Sequence, residues 1–227
     1  MTRVILLDIE GTTSSVSFVH DTLFPYARKH LYEYLQQHWG EPELDSACQS
    51  IVSDAGSGSA SNINDVEQAV AELMDRDAKL TGLKQLQGRI WKSGFESGQL
   101  EAHVYPDAPA ALQQWKSDAL RVFIYSSGSI EAQKLFFAHT IAGDLSNYID
   151  GNFDTTIGGK REESSYIKIA EAIGEAPEHI LFISDIEAEL DAARAAGMRT
   201  ALAVRGDSPN SSRHQTISSF DELFLPQ

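Results

Sequence analysis

The feature that most constrains this chain is an apolar run at its start that ends in an acid. Val4, Ile5, Leu6 and Leu7 are consecutive aliphatics. That pattern suits a central parallel strand buried on both faces, whereas a half-exposed strand would alternate. The run stops at Asp8, Glu10 follows two residues on, and Gly11, Thr12 and Thr13 form a turn. In an open α/β sheet, chemistry gathers just beyond the carboxyl ends of the strands. Two carboxylates at such an edge suit an oxygen-coordinated divalent cation, and one of them can attack an electrophile. An ordinary strand followed by an Asx turn would carry the same residues, so the other strand ends have to decide.

Those ends repeat the arrangement. Leu120 to Tyr125 reads as a second buried strand, ending in Ser126, Ser127, Gly128 and Ser129 directly before a helical stretch from Ile130 to Phe137. A Ser/Gly turn opening a helix offers hydroxyls, free backbone N–H groups and the positive end of the helix dipole, which together cradle an anion. Phe153 to Ile157 is predicted as a third strand. It ends in Gly158, Gly159 and Lys160, where the glycines let the backbone bend and the ammonium project into a cleft; Ser165 to Ile173 then reads as a helix. The fourth strand, His179 to Asp185, again ends in an acid. A helix follows through Ile186, Leu190 and Ala193, closed by Gly197. Glu189 lies one turn beyond Asp185 on the same face. Arg199 to Val204 is a fifth strand, and Ile217 to Leu225 a short closing segment.

Between the first strand and the second the texture is helical. Phe24, Ala27, Leu31 and Leu35 keep helical spacing behind Pro25; Val66, Ala69, Val70, Leu73 and Met74 form another stripe, with Asn64 or Asp65 as its N-cap; Leu83, Leu86, Ile90 and Gly94 mark a third. The small-residue tract from Ala55 to Asn62 is a flexible connection. The expected organisation is an α/β core made of residues 1–13 and 105–227, a doubly wound parallel sheet with the first strand near its centre. An all-helical cap domain, residues 14–104, is inserted into it, and with only two chain crossings it should move relative to the core.

Charge narrows the function. The 18 basic and 33 acidic residues leave −15, which argues against nucleic acid or an anionic membrane as partner, since both demand basic surface. An anionic substrate would need local cations or a metal. Cys48 is the only cysteine, no stretch approaches about 18 apolar residues, and the N-terminus enters a strand at once. The expectation is a cytoplasmic protein.

Taken together, the four strand ends carry Asp8 and Glu10, Ser126 and Ser127, Lys160, and Asp185 with Glu189. Two acidic edges can hold Mg²⁺, while a hydroxyl cradle and a lysine can hold three phosphoryl oxygens. The order Asp-x-acid-x-Thr, then Ser, then Lys, then paired acids resembles the haloacid dehalogenase superfamily of phosphotransferases. A longer match covers Leu7 to Thr13 and Tyr125 to Lys134, with Leu23 to Tyr26, Leu83 to Gly88, Phe153 to Thr155, Gly159 and Lys160, and Ser165 and Tyr166. It is similar to the enolase-phosphatase family of methionine salvage across almost the whole chain; Cys48 to Asn64 and Arg205 to Ser212 match least and hold no candidate catalytic residue. Glu10 stands where the superfamily's phosphatases have a second Asp.

The resemblance implies enolisation of 2,3-diketo-5-methylthiopentyl-1-phosphate, then loss of its phosphate to give acireductone. It implies one Mg²⁺ per chain, held by Asp8, Asp185 and the Glu10 main-chain carbonyl, with Asp8, Glu10 and Lys160 catalytic. Ser126, Ser127, Gly128 and Lys160 would bind phosphate, Glu189 would be a supporting acid, the helical insert would close over the methylthio end, and the enzyme would be a monomer. The longer Glu10 side chain would serve as general base or acid on the carbon acid or enol oxygen. A generic Mg²⁺-dependent small-molecule phosphatase or phosphotransferase of the same superfamily, or a silent binding protein that kept the fold, remain open on sequence grounds.

Overall fold

The computed structural model describes residues 1–56, 58–76, 78, 80–206 and 212–223. The sheet forms from the apolar runs. β1 (Val4–Leu7), β2 (Arg121–Tyr125), β3 (Gly151–Phe153), β4 (Ile180–Ser184), β5 (Arg199–Ala203) and β6 (Gln215–Ile217) pair in parallel in the order β3-β2-β1-β4-β5-β6. All four residues of β1 are fully buried, as the aliphatic run requires. From β1 the chain builds outward to β2 and β3, then returns to lay β4 on the other side. β1 and its neighbours therefore frame a topological switch point, where ligands bind in sheets of this kind.

The helices between strands supply the sheet's cover. α6 (Asp107–Ser117) and α7 (Ile130–Ala138) precede β2 and β3, while α8 (Glu163–Ile173) and α9 (Glu187–Ala195) flank β4. Val4, Leu6, Tyr125 and Phe182 share one core with Tyr166, Ile169 and Ile173 of α8 and Leu190 and Ala193 of α9. The alternate residues Ile5, Leu7, Val122 and Ile124 are just as buried, so the sheet is covered on both faces.

Two strand expectations are corrected. The third strand is Gly151–Phe153 and not Phe153 to Ile157. Asp154 leaves the sheet because its side chain accepts the Thr156 N–H at 2.9 Å, an Asx turn that competes with the ladder. Gln215–Ile217 joins the sheet as β6, where only a closing segment was expected. Gln215 and Thr216 are exposed and Ile217 alone is buried, so an edge strand this short leaves no apolar run to read. Leu225, the expected end of that segment, lies outside the described residues.

The chain divides into two compact units, residues 1–16 with 101–227, and residues 17–100. The first extends past the expected bounds because both chain crossings are stitched to it. Tyr105 N–H donates to Thr13 O at 2.9 Å, Ser15 N–H to His103 Nδ1 at 3.2 Å, and Ala102 N–H to His139 O at 2.7 Å.

The described residues of the second unit are helical. α1 (Val16–Phe18) leads through a π-helical turn, Val19–Leu23, into α2 (Phe24–His38), followed by α3 (Pro42–Asp54), α4 (Ile63–Asp75) and α5 (Thr81–Glu96). Leu31, Leu35, Leu44, Ile51, Val70, Leu73, Leu83 and Ile90 form its own core. The α3 stripe of Leu44, Ala47, Cys48, Ile51 and Val52 was not singled out from sequence. Burial, helped by Asp45, pushes the Cys48 thiol up to about 11, so it packs as a small hydrophobe. Among the described residues no helix is long and apolar enough to cross a membrane.

The cap of α4 also differs from expectation: the residue is Asn62, whose side chain accepts the Asp65 N–H at 3.1 Å, and not Asn64 or Asp65. Asn64 is already helical and exposed. Asn62→Ala is expected to cost about 1 kcal/mol in urea unfolding, while Asn64→Ala leaves stability level or slightly raised. Equal effects would contradict this capping.

Candidate active site

Asp8 leaves β1 at the level where Leu7 pairs with Ile124 on one side and Ile183 on the other. Its neighbours are therefore the ends of β2 and β4. The turn after it closes on itself: Thr13 Oγ1 donates to the carbonyls of Asp8 and Ile9, both at 3.2 Å, and Ile9 N–H donates to Asp8 Oδ1 at 2.8 Å. Asp8 is 4% exposed, and Glu10 is exposed farther along the same turn.

Lys160 reaches this point from the loop after β3. Its ammonium lies 2.7 Å from Asp8 Oδ1 and 2.7 Å from Glu189 Oε2, with the side chain only 11% exposed. The loop is pinned from α8 and β2. Tyr125 Oη donates to Gly158 O at 2.9 Å, Ser165 Oγ to Gly159 O at 2.8 Å, and Tyr166 Oη to Lys160 O at 2.6 Å. Burial alone would lower the Lys160 pKa; the Asp8 and Glu189 carboxylates outweigh it and leave the pKa raised, so the ammonium is charged.

From the end of β4, Ser184 Oγ donates to Glu189 Oε2 at 3.0 Å and lies 3.3 Å from Asp8 Oδ2; the Ile186 N–H donates to it at 3.1 Å. Asp185 packs onto the first turn at Gly11, where a Cβ would lie 2.1 Å from Asp185 Oδ2. Only glycine fits there. Burial and the nearby Asp8 charge push the Asp185 carboxyl up to about 6, and burial and Asp8 also raise Glu189, against the pull of Lys160.

The Ser turn lies at the end of β2. Ser126 is buried, and its Oγ accepts the Gly128 N–H at 3.4 Å; Ser127 is exposed. Ser129 caps α7 by accepting the Ala132 N–H at 3.2 Å. Gln133, almost fully buried, donates to Gly128 O at 2.7 Å and Phe153 O at 2.9 Å, tying the turn to β3.

The structure thus brings Asp8, Lys160, Asp185 and Glu189 together at one sheet edge. It places Ser126, Ser127 and Gly128 in the turn that follows β2, the strand beside Asp8, and Glu10 on Asp8's own turn. Sequence reasoning assigned no role to Ser184, Tyr125, Ser165, Tyr166 or Gln133. A signal existed for two of them: Ser184 is a polar end to an apolar strand, and Gln133 shares the inner stripe of α7 with Phe136 and Phe137.

The donor set fits a hard divalent cation. Three carboxylates (Asp8, Asp185, Glu189) face one ammonium, so two negative charges are left over in a largely buried place; burial first, and the Asp8 charge after it, raise the Asp185 pKa. Among the described residues no three His, Cys, Asp or Glu side chains form a ready-made cage. Asp8 and Asp185 with the Glu10 carbonyl would leave positions for water, as Mg²⁺ prefers.

Comparison with known proteins agrees. Residues 2–197 match the haloacid dehalogenase-like hydrolase family model. The chain is 50% identical to an enolase-phosphatase E1 of Pseudomonas aeruginosa over 227 residues, covering 98% of each. It is 46% identical to that of Aquifex aeolicus over 223 residues, covering 98% of this chain and 99% of the relative. The crystal structure of the Saccharomyces cerevisiae UTR4 protein superposes with a TM-score of 0.82 at 38% identity, covering 98% of this chain and all of that one.

Gly158 tests the site's geometry. Its φ is +148°, and a Cβ would lie 2.2 Å from Ser165 Oγ. Gly158→Ala is expected to shift the Lys160 loop and lower kcat/KM for phosphate release by at least about tenfold. Unchanged turnover would show that the loop's path is not needed.

Proposed function

The chain belongs to the haloacid dehalogenase-like hydrolases and, within them, to the enolase-phosphatase family, and from that premise we propose that it converts 2,3-diketo-5-methylthiopentyl-1-phosphate to its enol phosphate and then to acireductone and phosphate. The observation that carries this reading is the buried Lys160 ammonium holding Asp8 at the sheet edge, with Glu10 on the same turn. One acid is fixed for attack on phosphorus and a second, longer one stands free of that task.

In the first step Glu10 takes the proton from C1, the electron pair moves into the C1–C2 bond, and the C2 oxygen is protonated. The Ser126, Ser127 and Gly128 turn and Lys160 anchor the phosphate so that C1 stays within reach of Glu10. In the second step an Asp8 oxygen bonds to phosphorus as the bond from phosphorus to the C1 oxygen breaks, and the departing oxygen is protonated. Water then hydrolyses the aspartyl phosphate. Asp8, Asp185 and the Glu10 carbonyl would hold Mg²⁺, which would supply polarisation of the diketone and charge neutralisation at phosphorus. Lys160 holds Asp8 in place at 2.7 Å, while Glu189, itself bonded by Ser184, keeps Lys160 in place. The reading includes a cytoplasmic monomer, supported by the family resemblance and the single cysteine.

Incubation with the diketone phosphate and Mg²⁺, followed by ultraviolet absorbance and phosphate release together, tests the proposal. An absorbing enol and stoichiometric phosphate are expected. Phosphate without an enol would point to a general phosphatase instead. Asp185→Ala is expected to lower both signals at least about a hundredfold with melting retained, and excess EDTA to abolish them; full activity in EDTA would contradict the metal's role.

A further inference from the structure

The stretch that begins at Arg205 resembles the family least, yet Arg205 is tied directly to the first turn. Its Nε donates to Thr12 O at 3.0 Å. Its Nη1 donates to Asp107 Oδ2 at 2.7 Å and to Ser218 O at 3.0 Å. The guanidinium lies between two rings, with Cζ 4.5 Å from the centroid of Tyr105 and 4.5 Å from that of Phe220. Asp107 is fixed in turn, because its Oδ2 also accepts the Phe220 N–H at 2.7 Å. The side chain is 9% exposed. A planar fork stacked between rings and bonded on two edges loses little freedom per bond and holds its direction. A lysine could not reproduce it.

This anchor acts on one end of the catalytic turn. Asp8 is positioned without it, by β1, Lys160 and Ser184. Glu10 lies past the end of β1, bridged to Ser14 within a turn whose Thr12, Thr13 and Ser14 N–H groups all donate to Ile9 O, so it moves with that turn. It lies between the fixed Asp8 and the Gly11–Thr12 peptide, and the far side of that segment is held by Arg205 at Thr12 and by Tyr105 N–H at Thr13 O. Displacing Thr12 would swing Glu10 more than Asp8.

We infer that Arg205 is a positioning residue for enolisation, acting through Glu10, and that Asp107, Tyr105 and Phe220 exist in this arrangement to aim it. The inference rests on the enolase-phosphatase reading. It requires Arg205 to affect proton transfer at C1 and to leave phosphate binding alone, since none of its contacts reaches the Ser126 turn or Lys160.

A double-mutant cycle on enol formation, read by ultraviolet absorbance with the diketone phosphate and Mg²⁺, tests it. Arg205→Gln is expected to lower kcat for enol formation about tenfold while KM stays within about twofold. In a Glu10→Gln background the same change is expected to cost no more than about twofold, because a residue acting through Glu10 has little left to act on. A purely structural role would multiply the two losses or raise KM, and either result overturns the inference, as does an unchanged kcat. Should Arg205→Gln fail to fold, Asp107→Asn enters the same cycle with the same expectations. A Glu10→Gln enzyme that forms enol at the wild-type rate would sink the role of Glu10 and this inference with it. A wild-type enzyme that forms no enol would instead sink the enolase reading itself.

Discussion

The structure depends on one buried ammonium. Lys160 Nζ sits 2.7 Å from both Asp8 and Glu189, and its side chain is only 11% exposed. Taking these charges out of solvent costs several kcal/mol per ion, returned only if geometry and hydrogen bonding are good. The surroundings meet that condition. Ser184 donates to Glu189 and lies within hydrogen-bond reach of Asp8, while Tyr125, Ser165 and Tyr166 hold the Lys160 loop by three consecutive carbonyls. Removing Lys160 would leave the Asp8 and Glu189 carboxylates buried without their cation. Three strand ends and α8 are thus committed to one point, and the parallel order around β1 brings them there.

The same point explains how an acidic chain handles an anionic substrate. A surplus of −15 repels phosphate at long range. Locally, the Lys160 charge is already shared by two carboxylates, and Asp185 adds a third. A divalent cation would relieve that repulsion and would supply the positive charge that the side chains lack. On the proposed function, the Ser126 to Gly128 turn would contribute hydroxyls and N–H groups, whose attraction for phosphate needs no net charge.

Much of the site was legible because strand ends announce themselves. Asp8 and Asp185 close the runs that became β1 and β4, and Ser126 closes the one that became β2, whereas the strand expected before Lys160 shares only Phe153 with β3. What could not be read depends on contacts made across the fold. Tyr125 bonds to Gly158 O across 33 residues, and Ser165 and Tyr166 reach back six residues from α8 to the Lys160 loop, bonds that depend on how the loop folds and that no local pattern marks. Asn62 lost to Asn64 in the reading because three nearby polar residues are equivalent caps until the helix start is known. Arg205 opens a stretch that matches the family least, although its side chain is bonded to the Asp8 turn from 193 residues away. β6 escaped because two of its three residues face solvent.

Two reactions at one site demand that the acids do different things. Asp8 is rigidly held and suited to attack on phosphorus; Glu10, on the exposed part of the turn, is suited to handling a proton. Asp8→Asn with the diketone phosphate and Mg²⁺ tests that division most directly, following the enol by absorbance and phosphate by release. The amide keeps one oxygen donor but removes the nucleophile. The account predicts that the absorbing enol phosphate builds up while phosphate release falls by at least about a hundredfold more than enol formation. Equal loss of both steps, with Mg²⁺ still bound, would contradict it.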